Sequence, residues 1–244
     1  MGAGQGQTTK PKSSVKYEAP TTRVRAQYET PSTNVRTNVN AKRMTEAGQS
    51  KAQTKAILEW EEKMKNRKTE DLIVVDENGN VNPLGNPVVR RTKTSVTTNP
   101  ALFPPNAIVT HNHPWDDSTD GTGGMSPSIG ISLSAPDIGN AIRNNNKEKR
   151  AATRAYIYSI KRPANGWGEL SNPSTIRRIE SDWEVQWRST ASSEIARLRQ
   201  LRKEGRLTEE EFTTRWGRMN VVSAHRATKY VANKYGFSYT RRKR

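Results

Sequence analysis

Apolar positions along this chain fall into short runs whose spacing changes from segment to segment. Up to about Lys42, isolated Val and Tyr residues lie at neither helical nor strand spacing among Thr, Ser, Asn, Gln, Pro, Lys and Arg. Such a segment buries too little to offset its ordering entropy, so residues 1–42 read as a disordered basic arm. Between Ala41 and Arg67 the spacing becomes three and four, ending in Ile57-Leu58-Glu59-Trp60-Glu61-Glu62-Lys63-Met64, and predicts a helix. Leu72-Ile73-Val74-Val75 predicts a short strand, and Asp76-Glu77-Asn78-Gly79-Asn80 a reversal. The β-branched stretch Val88–Thr98 predicts another strand, and Ala107-Ile108-Val109-Thr110 a third that runs directly into His111.

Residues 114–133 are rich in Gly, Ser, Asp, Thr and Pro and predict a long loop, a kind of segment that in compact domains usually carries function. Ser134-Ala135-Pro136-Asp137 has the chemistry of a helix start: a Ser cap, an early Pro, and an acid where the helix dipole favours it. Ala155 to Ile160 alternates as a strand, closed by Lys161-Arg162-Pro163 with Asn165-Gly166. A long helix is predicted from Pro173 to Lys203, with Ile176, Ile179, Trp183, Trp187, Ile195, Leu198 and Leu201 as its apolar stripe. Thr208-Glu209-Glu210-Glu211 has capping-box form and opens a short helix, and Val221–Tyr235 forms a last one stopped by Gly236. The order of elements gives an α/β (α+β) chain in four parts: the arm 1–42, a domain 43–170, a helical extension 171–240 packed on it, and a basic tail 241–244.

Composition narrows the function classes. With 41 Lys plus Arg against 24 Asp plus Glu, the formal charge is +17, which favours polyanionic partners. The excess gathers at the ends: residues 1–45 carry eight basic and two acidic side chains, and 201–244 carry twelve and four. These termini are the expected contacts for nucleic acid or capsid proteins, without base-specific recognition, because no RNP, zinc-finger or helix-turn-helix signature is present. No apolar run is long enough for a membrane span and no apolar secretory h-region follows a basic start, so neither a membrane partner nor secretion is expected. The absence of Cys removes disulfides and thiolate metal sites, leaving imidazole and carboxylate as ligands.

Of the three histidines, His111 and His113 stand two apart at a strand end, so both project to one side and can converge on one ion. Asp137, in the first turn of the following helix, can supply a third ligand. Glu70, just before the Leu72–Val75 strand, can act as general base towards a water at the fourth position, and Ser134 can hydrogen-bond that water or the developing oxyanion. Glu59, Glu61 and Glu62 are alternatives to Glu70, and Asp117 or Asp120 are alternatives to Asp137 if the loop folds back. The plainer reading of the pair is a His-rich turn that caps a strand. The letters His-Asn-His also suggest an HNH nuclease, but that name refers to residues spread over a ββα unit. His225 reads as a surface or packing residue, Trp183 and Trp187 as helix core, and Trp115 as either a cleft wall or a pin for the loop.

Thr110-His111-Asn112-His113-Pro114, followed by Ser134-x-x-Asp137-Ile138 and preceded by Glu70, resembles the JAB/MPN (JAMM) metalloprotease superfamily, with His-Asn-His-Pro closest to its RadC-like branch. The layout is also similar to JAB-like domains of phage minor head or head-morphogenesis proteins, through Tyr158-Ser159-Ile160-Lys161-Arg162-Pro163, Gly166-Trp167 and Lys234-Tyr235-Gly236-Phe237-Ser238-Tyr239. The resemblance covers roughly Glu70 to Tyr239. It implies a curved mixed sheet between helices, Zn²⁺ on His111, His113 and Asp137, Glu70 as general base and Ser134 as oxyanion partner. The implied activity is cleavage of a peptide or isopeptide by a phage- or mobile-element-associated hydrolase, located in the host cytoplasm or on a virion. A non-catalytic head-assembly protein on the same fold and a DNA-processing nuclease are the competing expectations. Ser134 stands farther from His113 than the family usually places its serine, with a Gly, Asp and Ser insert between them.

Overall fold

A computed structural model describes residues 50–92, 95–114 and 131–244, and these described residues form four α-helices and two sheets. Among the described residues the larger sheet has five mostly antiparallel strands in the order β1-β4-β5-β6-β7: β1 Leu72–Val75, β4 Ile108–Asn112, β5 Glu148–Ala152, β6 Tyr156–Lys161 and β7 Ser238–Lys243. Of its four strand pairs β4–β5 alone is parallel, and helix α2 (Ala135–Arg143) lies between them in sequence. A parallel neighbour needs a crossover, and that crossover sets the start of α2 near the carboxyl end of β4. Mixed α+β architecture is therefore present. The described residues all belong to the compact unit Met44–Arg244, and the arm 1–42, the Gly- and Asp-rich stretch with Trp115, Asp117 and Asp120, and residues 41–49 lie outside them.

Strand alternation gives the sheet two different faces. On one, Ala151, Tyr158 and Ile160 join Leu133, Ile138 and Ile142 of the α2 region in the main core. Ile176, Ile179 and Trp183 of α3 (Pro173–Lys203) and Ala224, Ala227 and Val231 of α4 (Glu209–Tyr235) complete it. On the other face, Ile73, Val75 and Ile108 receive Ile57 and Trp60 of α1 (Lys51–Met64). That second contact also holds a buried ionic network. Arg150 donates to both oxygens of Glu61 (Nε 2.7 Å, Nη2 3.1 Å) and to Glu148 (2.8 Å), while Thr110 and Ser159 hydroxyls donate to Glu61 and Glu148. The turn after β1 presses on α1: Gly79 has φ +88, and a Cβ there would come within 2.7 Å of the Ala52 backbone. Glycine is required at that approach.

Several elements differ from the sequence expectations. Helix α1 starts at Lys51 because Ser50, in extended conformation, caps it by accepting from Gln53 N–H. The stretch 88–98 is a hairpin, β2 Val88–Arg91 and β3 Val96–Thr98, reversed where Thr92 N–H donates to the Ser95 carbonyl (2.9 Å). The two helices expected after Thr208 are one, since Phe212, Met219, Ala224, Ala227 and Val231 continue a single buried stripe through Gly217. Arg241, Arg242 and Lys243, expected as a tail, close the sheet as the outer half of β7, paired with Tyr156 to Tyr158 of β6. Strand β5 had no sequence expectation at all, because three of its five residues are charged.

Candidate metal centre

Every residue of β4 is buried, and the chain continues through His113 and Pro114 under cover. Alternation turns His111 and His113 to the main-core face, where their Nε2 atoms approach to 2.8 Å. His113 Nδ1 lies 2.9 Å from the Ile131 carbonyl, which can only accept, so Nδ1 carries a proton and Nε2 is the nitrogen that faces the site. His111 is fully buried, and its Nδ1 has no hydrogen-bond partner among the described residues.

Asp137 arrives from the start of α2. Its Oδ1 is 3.2 Å from His111 Nε2 and its Oδ2 3.6 Å from His113 Nε2. The Ser cap expected from the sequence is here a full capping box, and it holds Asp137: Ser134 N–H and Ser134 Oγ both donate to Asp137 Oδ2 (2.9 and 2.7 Å), and Asp137 N–H donates to Ser134 Oγ (3.3 Å). The Ser134 hydroxyl hydrogen is thus engaged with Asp137.

Glu70 comes from the segment leading into β1. Its carboxylate and the two imidazoles offer ligand atoms all within 4.8 Å of one another, so Glu70, His111 and His113 form a buried group that could hold a metal ion. The other glutamates lie elsewhere: Glu61 is on the opposite face with Arg150, while Glu59 and Glu62 are exposed and pair with Lys55 and Lys65. The position of Glu70 is fixed by Asn112, which sits between the histidines in sequence but faces the other way. Asn112 Oδ1 accepts from Asp71 N–H (2.7 Å), and its Nδ2 donates to the Thr69 carbonyl (2.9 Å), holding the residues on both sides of Glu70. Asp71 is held in turn by Arg67 and Arg91 (2.8 Å each).

Burial shapes the electrostatics. It pushes the Glu70 carboxyl up to about 7, and Asp137 adds to the rise while His113 and Lys149 oppose it. It pulls His111 down to about 4. Burial also disfavours charge on His113, but hydrogen bonding and attraction from Asp137, with Glu70, outweigh it and raise that imidazole. For Asp137, burial is outweighed by the two imidazoles and Lys149, which hold its carboxyl well below the usual range.

The group opens on a cleft of about 540 Å³ walled by Leu72, Val96 and Phe103 on one side and by Trp183, Trp187 and Arg188 of α3 on another. Trp183 is core as expected, its indole N–H donating to Thr228 Oγ1 (3.0 Å), and both tryptophans also line the cleft. His225 is a packing residue bonded to Tyr239 OH (2.8 Å). Sequence reasoning missed two contributors. Asn112 was visible within the His-Asn-His string but had no local signal for its partners. Lys149 lies in the cleft from β5, a strand with no apolar pattern, and its Nζ is 3.7 Å from Asp137 Oδ1. Compared with known proteins, the chain matches no family model, no curated protein and no solved structure.

Proposed function

We propose that this domain is a zinc-dependent peptidase or isopeptidase of JAB-like type, with His111, His113 and Asp137 as ligands and Glu70 as general base. The observation that carries the reading is the buried group of Glu70, His111 and His113, whose ligand atoms lie within 4.8 Å of one another, with the Asp137 carboxylate beside both imidazoles. Two donors about 2.0–2.1 Å from one ion at a tetrahedral angle lie about 3.3 Å apart. The imidazole nitrogens stand 2.8 Å apart and Asp137 Oδ1 stands 3.2 Å from His111 Nε2, near that value, while the second carboxylate oxygen, Oδ2, faces His113 Nε2 at 3.6 Å. A pair of imidazoles and a carboxylate, without thiolates, is a donor set that suits zinc in an open site.

Zinc, when bound, supplies Lewis acidity towards a carbonyl oxygen and makes a water easier to deprotonate near neutral pH. The remaining work falls to the chain. Glu70 takes a proton from the attacking water, whose oxygen adds to the peptide carbonyl carbon as the carbonyl pair moves onto oxygen. The same carboxyl returns the proton to the leaving nitrogen as the C–N bond breaks. Asp137 keeps its charge and aim through the Ser134 cap, and His113 keeps its tautomer through Ile131. The apolar walls at Trp183, Trp187 and Phe103 exclude water and seat substrate side chains.

Elemental analysis of purified protein tests the metal, and cleavage of peptide- and isopeptide-linked substrates by the zinc-loaded protein tests the reaction. About one zinc per chain in wild type, lost in His111→Ala, His113→Ala, supports the reading. Full zinc occupancy without cleavage of any such substrate favours the head-assembly alternative instead. Contact with nucleic acid or capsid proteins through the basic termini is part of the same proposal. It is supported by Arg241, Arg242 and Lys243, which stand exposed on the edge strand β7.

A further inference from the structure

We propose that Lys149 is the anion-binding group of this cleft and donates to the oxyanion that develops on the attacked carbonyl. The inference rests on the metallopeptidase reading above and adds a catalytic residue to it. Lys149 pairs with Val109 on the neighbouring parallel strand β4, two positions before His111, so its side chain shares the face that carries His111. The long aliphatic stem then brings the ammonium along that face towards Asp137.

Three observations single it out. Lys149 is only 6% exposed, yet it lines the cleft together with Glu70, His113 and Asp137. Among the described residues its ion pair with Asp137, at 3.7 Å, is too long for a hydrogen bond, so the ammonium keeps donors for a further acceptor. Ser134, the residue expected to meet the oxyanion, has its hydroxyl hydrogen on Asp137 Oδ2. A buried lysine without a strong acceptor carries a desolvation cost that an anionic ligand in the cleft relieves. As the carbonyl pair moves onto oxygen, that oxygen becomes the missing acceptor, in a site where a charge-assisted hydrogen bond is strong. Contact at the carbonyl oxygen acts mainly in the transition state.

Inorganic phosphate, a tetrahedral oxyanion, tests the site without turnover. Its dissociation constant is measured by calorimetry on zinc-loaded wild type, Lys149→Met and Lys149→Arg, after zinc content and melting temperature have been recorded for each. Phosphate binding weakened about tenfold or more in Lys149→Met and largely restored in Lys149→Arg, with zinc near one per chain in all three, is the expected result. Where a substrate is cleaved, kcat should fall about a hundredfold in Lys149→Met with KM little changed. Equal phosphate affinity in wild type and Lys149→Met at full zinc occupancy would overturn the inference. So would loss of zinc from Lys149→Met, which makes the lysine a support for Asp137 alone. Should Lys149→Met fail to fold, Lys149→Gln takes its place with the same criteria. Wild type that takes up no zinc would remove the metallopeptidase reading itself, and the inference with it, before phosphate is added.

Discussion

Asn112 Oδ1 accepts the Asp71 backbone N–H at 2.7 Å, across forty-one positions of sequence. With the second bond from Asn112 Nδ2 to the Thr69 carbonyl, it fixes the segment carrying Glu70 against the strand carrying both histidines. The residue between the two histidines thereby sets where Glu70 stands.

Replacing Asn112 by Ala should leave the Asp71 N–H buried without its partner and cost about 1–3 kcal/mol of stability. It should also lower kcat while zinc content stays near wild type, because His111 and His113 lie on the other face. Chemical denaturation, metal analysis and kinetics on one preparation check this. Equal kcat in the variant would show that Glu70 does not need the clamp.

Glu70→Gln should abolish hydrolysis, by roughly 10²–10⁴-fold in kcat, with zinc retained. An amide cannot accept the proton that a carboxylate takes. Loss of zinc together with activity would instead make Glu70 a ligand.

The raised Glu70 pKa also has a stability signature in metal-free protein. A carboxyl lifted from 4.5 to about 7 contributes stability that is complete below 4.5 and lost as pH rises through 7. His111 and His225, held near 4 by burial, contribute with the opposite sign between about 4 and 6.5. The informative quantity is therefore the difference between wild type and Glu70→Gln. Wild type should lose ground to the variant by up to about 3 kcal/mol between pH 4.5 and 7. A flat difference across that window would place the Glu70 carboxyl in water.

Arg150→Met should destabilise the domain by about 3–5 kcal/mol, since it leaves Glu61 and Glu148 buried and uncompensated. Adding Glu61→Leu and Glu148→Leu to it should recover part of the loss. Urea unfolding of the single and triple variants checks the order. A triple variant weaker than the single one would contradict it.

Exchanging Arg241, Arg242 and Lys243 for Gln should flatten the dependence of log affinity on log salt for duplex DNA, by up to about 0.9 for each phosphate that is no longer neutralised. The backbone pairing of β7 with β6 does not need these charges. An unchanged slope would place polyanion binding elsewhere on the chain.

Much of this layout is legible in the sequence where periodicity and capping chemistry agree. Helix α3 runs from Pro173 to Lys203 as its apolar stripe predicts, Ser134 caps α2 as expected, and Thr208 and Glu211 form the expected capping box of α4. The histidine pair was legible because a strand repeat of two residues puts both on one side. Strand β5 was not, since hydrophobic pattern is a proxy for burial and fails where buried residues are ionic and paired across long sequence distances. Arg150 reaches Glu61 eighty-nine positions away, and nothing local announces it. The outer half of β7 was hidden for a related reason: an edge strand buries little, so Arg241 to Lys243 read as solvent-exposed tail.

The charged tripeptide Glu148-Lys149-Arg150 places one cation on the cleft face and an ion pair on the α1 face of the same strand. A shift of β5 by one residue against β4 would exchange those faces. Arg150 would leave Glu61 for an apolar core of Ile138 and Tyr158, and Lys149 would leave Asp137 and the cleft. An all-apolar strand at this place tolerates such a slip, whereas here it carries the Glu148–Arg150 pair into an apolar core. The same three residues that conceal the strand from a hydrophobicity reading thus make its alignment during folding all-or-none, and they tie assembly of the cleft to correct docking of α1 on the far side of the sheet.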